Sequence, residues 1–232
     1  MKKTIPLTAP IGCLILGFFL IGQALPKSLM DQWKDVESEI KKGLPKTAIE
    51  KIDPLIIQAL KNGSHAVAIR AIGQKINLEG AIEGNKAEEK IAKMEEEIAK
   101  APEALKPMMR AVLSNWYWQY FQQNRWRFAQ RTRTAEAPGE DITTWDLSRI
   151  LSEIDKQFQK TLSYHEVLKK EAIGDYDFLL KKGNVPESYR PTLYDFVVHD
   201  ALRFYSAGEQ AGSKAQDSFV LSADSPVFGS AK

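Results

Sequence analysis

Cysteine is almost missing from this 232-residue chain, and the single thiol, Cys13, lies inside an N-terminal apolar stretch. Beyond that stretch the sequence has no material for a disulfide, a thiolate metal site or a cysteine nucleophile. An excess of either charge is missing too, with 32 Lys and Arg against 30 Asp and Glu. Lys2 and Lys3 account for the whole surplus, leaving 30 of each sign after residue 24. That balance removes any global electrostatic case for nucleic acid or an anionic membrane as partner. Sustained alternation of β-branched residues is also absent, the nearest approach being residues 218–222.

What is present begins with an export signature. Lys2 and Lys3 precede an apolar run over residues 11–21, and Gly22, Gln23 and Ala24 offer a small-residue cleavage site. The pattern predicts a signal peptide over residues 1–24, placing the mature chain in the periplasm, at the cell surface or outside the cell. A membrane span needs about 20 apolar residues, more than this run supplies, so membrane contact is expected only through an uncleaved leader. Cys13 precedes most of the run, where a lipoprotein cysteine would follow it.

The remainder reads as helix. Residues 28–42 carry Leu29, Trp33, Val36 and Ile40 on one face and close at Gly43. Pro45 opens the next helix, whose apolar stripe runs through Ala48, Ile49, Ile52, Leu55, Ile56, Ala59 and Leu60, with Pro54 expected to bend it or delay its start. A third follows Ser64, a charged fourth covers 85–100, and further helices are expected over 144–162, from His165, and over 192–206. Five start signals pair a capping side chain with an acid three residues on: Ser28 with Asp31, Asn85 with Glu88, Thr143 with Asp146, Ser163 with Glu166, and Thr192 with Asp195. The expected fold class is all-α, built of stacked antiparallel helical hairpins, solenoid-like and in part tetratricopeptide-like, over residues 25–211. An extended C-terminal linker is expected over 212–232.

Several segments approach chemical motifs and stop short. His165-Glu166-Val167-Leu168-Lys169 starts like a zinc-protease helix, but Lys169 occupies the place of the second histidine. His199 and Asp200 are adjacent on a helix and so point apart, with no serine or cysteine partner identifiable. Gly208-Glu209-Gln210 matches part of a thioester sequence, but Ala207 stands where its cysteine belongs. Asn62-Gly63-Ser64 fits the glycosylation pattern and equally an ordinary turn with a helix cap. No catalytic residue, metal ligand or cofactor-binding residue is expected.

Residues 115–149 are the densest part of the sequence, with Trp116, Tyr117, Trp118, Tyr120, Phe121, Trp126 and Phe128 in quick succession. Nearly every face of such a helix is expected to find an apolar partner. Arg125, Arg127, Arg131 and Arg133 alternate with these rings, in outline a base-stacking surface. Charge balance, export and the nearby Glu136, Glu140, Asp141 and Asp146 favour structural arginines that stack on rings and cap carbonyls.

Four segments together carry a family resemblance: LPKTAIEKIDPLI, the run from NWYWQYFQQNRW through TTWDLSRILSEID, YRPTLYDFVVHDALRFY, and SADSPVFG. Over about residues 29–229 the chain resembles the N-terminal region of large bacterial alpha-2-macroglobulin-like proteins, TTWDL and RPTLYDF being the more specific parts. The resemblance implies an exported helical region that precedes β-sandwich macroglobulin domains in a protease-trapping assembly. This chain stops where those domains would begin, which implies a truncated or split form, without catalysis or inhibition of its own. The expected partners are macroglobulin-type domains or another part of a protease-inhibitor assembly, with no nucleic acid and no cofactor. Structural or interaction candidates are Trp116, Trp118, Arg125, Trp126, Arg127, Trp145, Asp146, Arg190, Tyr194 and Asp195. The alternative is a free-standing tetratricopeptide-like adaptor whose concave surface over 29–100, lined by Asn77, Asn85 and Lys86, binds a peptide or protein.

Overall fold

One serine sets the start of the first helix in the computed structural model, which describes residues 28–131, 139, 141–181 and 183–207. The expected leader, the linker from 212 and the alternating stretch at 218–222 lie outside these residues. Ser28 caps α1 (Leu29–Lys41): its hydroxyl oxygen accepts from the Asp31 amide at 3.1 Å, and the hydroxyl donates to the Asp31 carboxylate at 2.7 Å. At the other end Gly43, at φ +73°, lets the chain reverse. There the Leu44 amide donates to the Glu39 carbonyl and the Gly43 amide to the Ile40 carbonyl, both at 3.0 Å.

The same turn follows α2 (Pro45–Lys61), with Gly63 at φ +66° and amide bonds from Ser64 to Ala59 and from Gly63 to Leu60. Two short turns of one geometry therefore fold α1, α2 and α3 (His65–Ile82) back and forth. Then come α4 (Ala87–Lys100), α5 (Lys106–Gln130), α6 (Leu147–Leu162), the short α7 (His165–Leu168) and α8 (Leu193–Ser206). Three 3-10 turns, Ile142–Thr144, Ile173–Tyr176 and Glu187–Tyr189, fill the connections. No strand occurs among the described residues, and the fold class is all-α.

From α1 to α5 each helix packs on its successor, while α6 packs on α5 and α8. Burial divides into two clusters. Trp33, Val36, Ile52, Leu55 and Leu78 form the smaller one, between the first three helices. Met94, Met109, Leu113, Phe128, Ile150, Phe158 and Phe204 belong to the larger, centred on α5 and α6. Each such side chain contributes about 1.5–3 kcal/mol by leaving water, so these clusters, not helix propensity, hold the fold.

A long excursion joins the clusters. Its neck is closed by an antiparallel bridge between Ala172 and Thr192, with amide bonds from Ile173 to the Pro191 carbonyl and from Leu193 to the Glu171 carbonyl, each 3.0 Å. Along it, Phe178 packs on the smaller cluster while Leu179 and Leu180 pack on the larger. Arg70 of α3 holds Phe178 in place: its guanidinium lies 4.1 Å from the Phe178 ring centroid and 4.5 Å from that of Trp33, and donates to the Phe178 carbonyl at 2.6 Å.

Several expectations about helix ends are corrected. Asn85 does not cap α4; it takes φ +61° and its side-chain oxygen accepts from Lys90 at 2.6 Å, leaving at the cap position Lys86, whose side chain makes no capping bond. Thr143 belongs to a 3-10 turn, and Asp146 itself caps α6, accepting from the Arg149 amide at 2.7 Å. The helix therefore begins at Leu147, not Thr144. Ser163 ends α6, its hydroxyl donating to the Lys160 carbonyl, instead of starting α7. Pro54 does not delay α2, which starts at Pro45 and runs through the proline, where both Pro54 and Glu50 are exposed. Thr192 and Asp195 form the full capping box at α8.

Candidate functional site

The ten candidate side chains do not converge. Trp145 is buried, stacked on Tyr117 with ring centroids 6.2 Å apart, and its indole donates to the Gly139 carbonyl at 2.8 Å. Its neighbour Asp146 is the α6 cap, Asp195 belongs to the α8 capping box, and buried Arg190 lies over Phe196. Tyr194 faces the Lys169 ammonium at 5.0 Å. Half-buried Trp118 meets Phe204 edge to face, and its indole nitrogen is buried without a hydrogen bond. Trp116 lies beside Gly73 of α3.

Arg125, Trp126 and Arg127 sit past a break in α5 at Asn124, whose side chain donates to the Tyr120 carbonyl. Trp126 is 64% exposed, so the expectation that nearly every face of this helix finds an apolar partner fails at this ring, although Phe128 beyond the break is buried. Arg131 does cap a carbonyl, donating to Trp145 at 2.7 Å, and Arg127 reaches the Asn124 side chain at 3.5 Å. Arg133 and Glu136 lie outside the described residues.

The histidines show no convergent chemistry. His165 pairs with its neighbour Glu166 at 3.2 Å on the surface. Burial pushes the Asp200 carboxyl above the usual carboxylate range although Arg203 donates to it at 3.3 Å, while His199 is exposed. No metal-holding group of three or more His, Cys, Asp or Glu occurs among the described residues. Nor is any described helix long and apolar enough to cross a membrane.

A concavity of about 500 Å³ opens instead across α2, α3 and α4. Each helix contributes four residues at one repeated spacing: Asp53, Ile56, Ile57 and Leu60; then Ile72, Lys75, Ile76 and Glu79; then Lys93, Glu96, Glu97 and Lys100. Steps of three, one and three residues keep a stripe on one face of a helix, so the groove is three adjacent stripes. The α2 stripe is largely aliphatic, the α3 stripe is half aliphatic and half charged, and the α4 stripe is wholly charged. Ala101, Pro102 and Leu105, in the link to α5, complete the lining.

The rim charges are unequally matched. Lys75 donates to Asp53 at 2.7 Å, and Lys93 to Glu83 at 2.7 Å and to Glu79 at 3.3 Å. These carboxylates, Asp53 foremost for Lys75 and Glu83 for Lys93, hold both ammoniums above the usual lysine range. Glu96 and Glu97 pair with Lys100 at 3.9 and 3.7 Å, beyond hydrogen-bond distance, and Glu97 adds a weaker pull on Lys75. Ile57 projects from the apolar side with 68% of its surface in water. The lining has no hydroxyl, thiol or imidazole, so it is equipped to bind an apolar surface with an ionic flank.

Neither the ten candidates nor Asn77, Asn85 and Lys86 line this groove. Lys86 is engaged by Glu89 at 2.6 Å at the start of α4. The overlooked signal was Ile57, an isoleucine that falls off the α2 stripe and so onto a face that no helix among the described residues covers. In comparisons with protein-family models, with curated proteins and with solved structures, nothing matches the chain.

Proposed function

We propose that the chain is an exported, non-catalytic helical module that works by binding other proteins, with the groove across α2–α4 as its docking face. The groove carries this reading, through the exposed Ile57 beside Ile56 and Leu60 and the charged α4 wall opposite. In this reading the helices form stacked antiparallel hairpins, solenoid-like over α1–α5, and such stacks present concave faces of this kind. The leader sequence supports export, and the sequence resemblance makes macroglobulin-type domains of a protease-inhibitor assembly the first partner to try.

The test mixes the purified full-length chain with a macroglobulin-domain array from a bacterial alpha-2-macroglobulin-like protein and follows association by sedimentation. Complex formation that Ile57→Glu abolishes is the expected result, with no slowing of a protease by the chain alone. A chain that ignores the array, or that cleaves substrate itself, overturns the reading. The second reading, a free-standing tetratricopeptide-like adaptor, is favoured by the three matched stripes and is the outcome if isolated peptides bind through Ile57 while the array does not.

A further inference from the structure

We infer that the groove takes an amphipathic helix about two turns long, apolar on one side and carrying Lys or Arg on the flank that faces α4. This rests on the groove being the docking face. The lining supplies the shape: stripes of residues i, i+3, i+4 and i+7 on each helix make ridges that another helix packs into, whereas an extended strand would need free backbone groups, which these helical walls lack. Each stripe spans seven residue steps, or about 10 Å of helix axis, which sets the length of the match.

Charge complementarity supplies the flank. Two of the three basic groups of the rim are already spent, Lys75 on Asp53 and Lys93 on Glu79 and Glu83, which leaves Lys100. Glu96 and Glu97 share the ammonium of Lys100 at 3.9 and 3.7 Å, and their side chains stay 68% and 42% exposed. Two carboxylates against one ammonium leave the charged wall with a carboxylate in excess to offer an incoming helix. A cation there meets both acids, while an anion meets them as like charges across a narrow gap.

The probes are three labelled 14-residue peptides with one leucine stripe at helical spacing, flanked by lysines, flanked by glutamates, or with the lysine version scrambled. Binding to the full-length chain is read by fluorescence anisotropy at low and at physiological salt. The lysine-flanked peptide is expected to bind at least about tenfold tighter than the other two, and Ile57→Glu to remove about tenfold or more of that affinity. Replacing both acids, Glu96→Lys with Glu97→Lys, is expected to reverse the flank preference while leaving the circular dichroism spectrum unchanged. Equal binding of both flanked peptides, still sensitive to Ile57→Glu, overturns the charge assignment and leaves the docking face standing. Binding of none, equal binding of the scrambled peptide, or self-association of the chain through Ile57 overturns both.

Discussion

Replacing Arg70 with alanine should loosen the long excursion from the first three helices, and the size of the effect follows from its contacts. The guanidinium stacks between Trp33 and Phe178 and donates to the Phe178 carbonyl at 2.6 Å. Each cation–π face is worth about 0.5–1 kcal/mol at a partly exposed site, and a hydrogen bond from a charged donor about 1.5 kcal/mol or more. The Arg70 side chain remains 37% exposed, so solvent screening brings the sum down to about 2 kcal/mol. In a chain of this size that shifts the melting temperature by about 4–8 °C. Arg70→Lys keeps the charge and loses the planar stack, and should recover less than half of the loss. The deciding assay is a double-mutant cycle of Arg70→Ala with Phe178→Ala in urea, alongside limited proteolysis of residues 173–190. Coupling of about 1 kcal/mol with faster cleavage of that segment is expected. Strict additivity, or a loss below about 0.5 kcal/mol for Arg70→Ala, would refute the reasoning.

Three further outcomes are expected. Asp200 has its folded pKa raised by burial, so the native state holds its proton more tightly than the unfolded chain does, and its contribution to stability falls as pH rises from the unfolded value through the folded one. Asp200→Asn should therefore be more stable than the parent at pH 7 and flatten the pH dependence of melting above pH ~4; no gain at pH 7 contradicts this. Thr192→Ala removes the hydroxyl half of the α8 capping box and should cost about 1 kcal/mol in chemical denaturation, with Thr192→Ser nearly neutral. Gly43→Ala meets no neighbouring atom, so its cost of about 1 kcal/mol arises from φ +73° alone, and Gly43→Asn should cost less in the same assay.

Helices with one clean apolar face were legible in the sequence. The stripe of α1 and the Thr192–Asp195 box at α8 involve neighbours on one helix, so local chemistry settles them. Helix starts failed where a capping side chain found another partner or a rival: Asp146 captured the α6 amide expected of Thr143, and Asn85 accepted from a lysine instead. The groove was obscured because its members come from three helices and its acids also read as an ordinary solvated face. Its charge imbalance depends on which lysine reaches which carboxylate, as with Lys93 in the middle of α4 and Glu83 at the end of α3, a pairing between helices that spacing along one helix does not reveal. The role of Phe178 depends on Arg70, 108 residues away.

That separation has a kinetic side. Helices that pack on their successors can form as the chain lengthens, each meeting a partner already made, and such local topologies fold fast. The Arg70–Phe178 contact instead closes a loop spanning 108 residues, with an entropy cost set by that length, so it forms after the hairpins and adds little to the folding transition state. Weakening it should leave the refolding rate almost unchanged and accelerate unfolding, making this one guanidinium a determinant of how long the native state persists once formed.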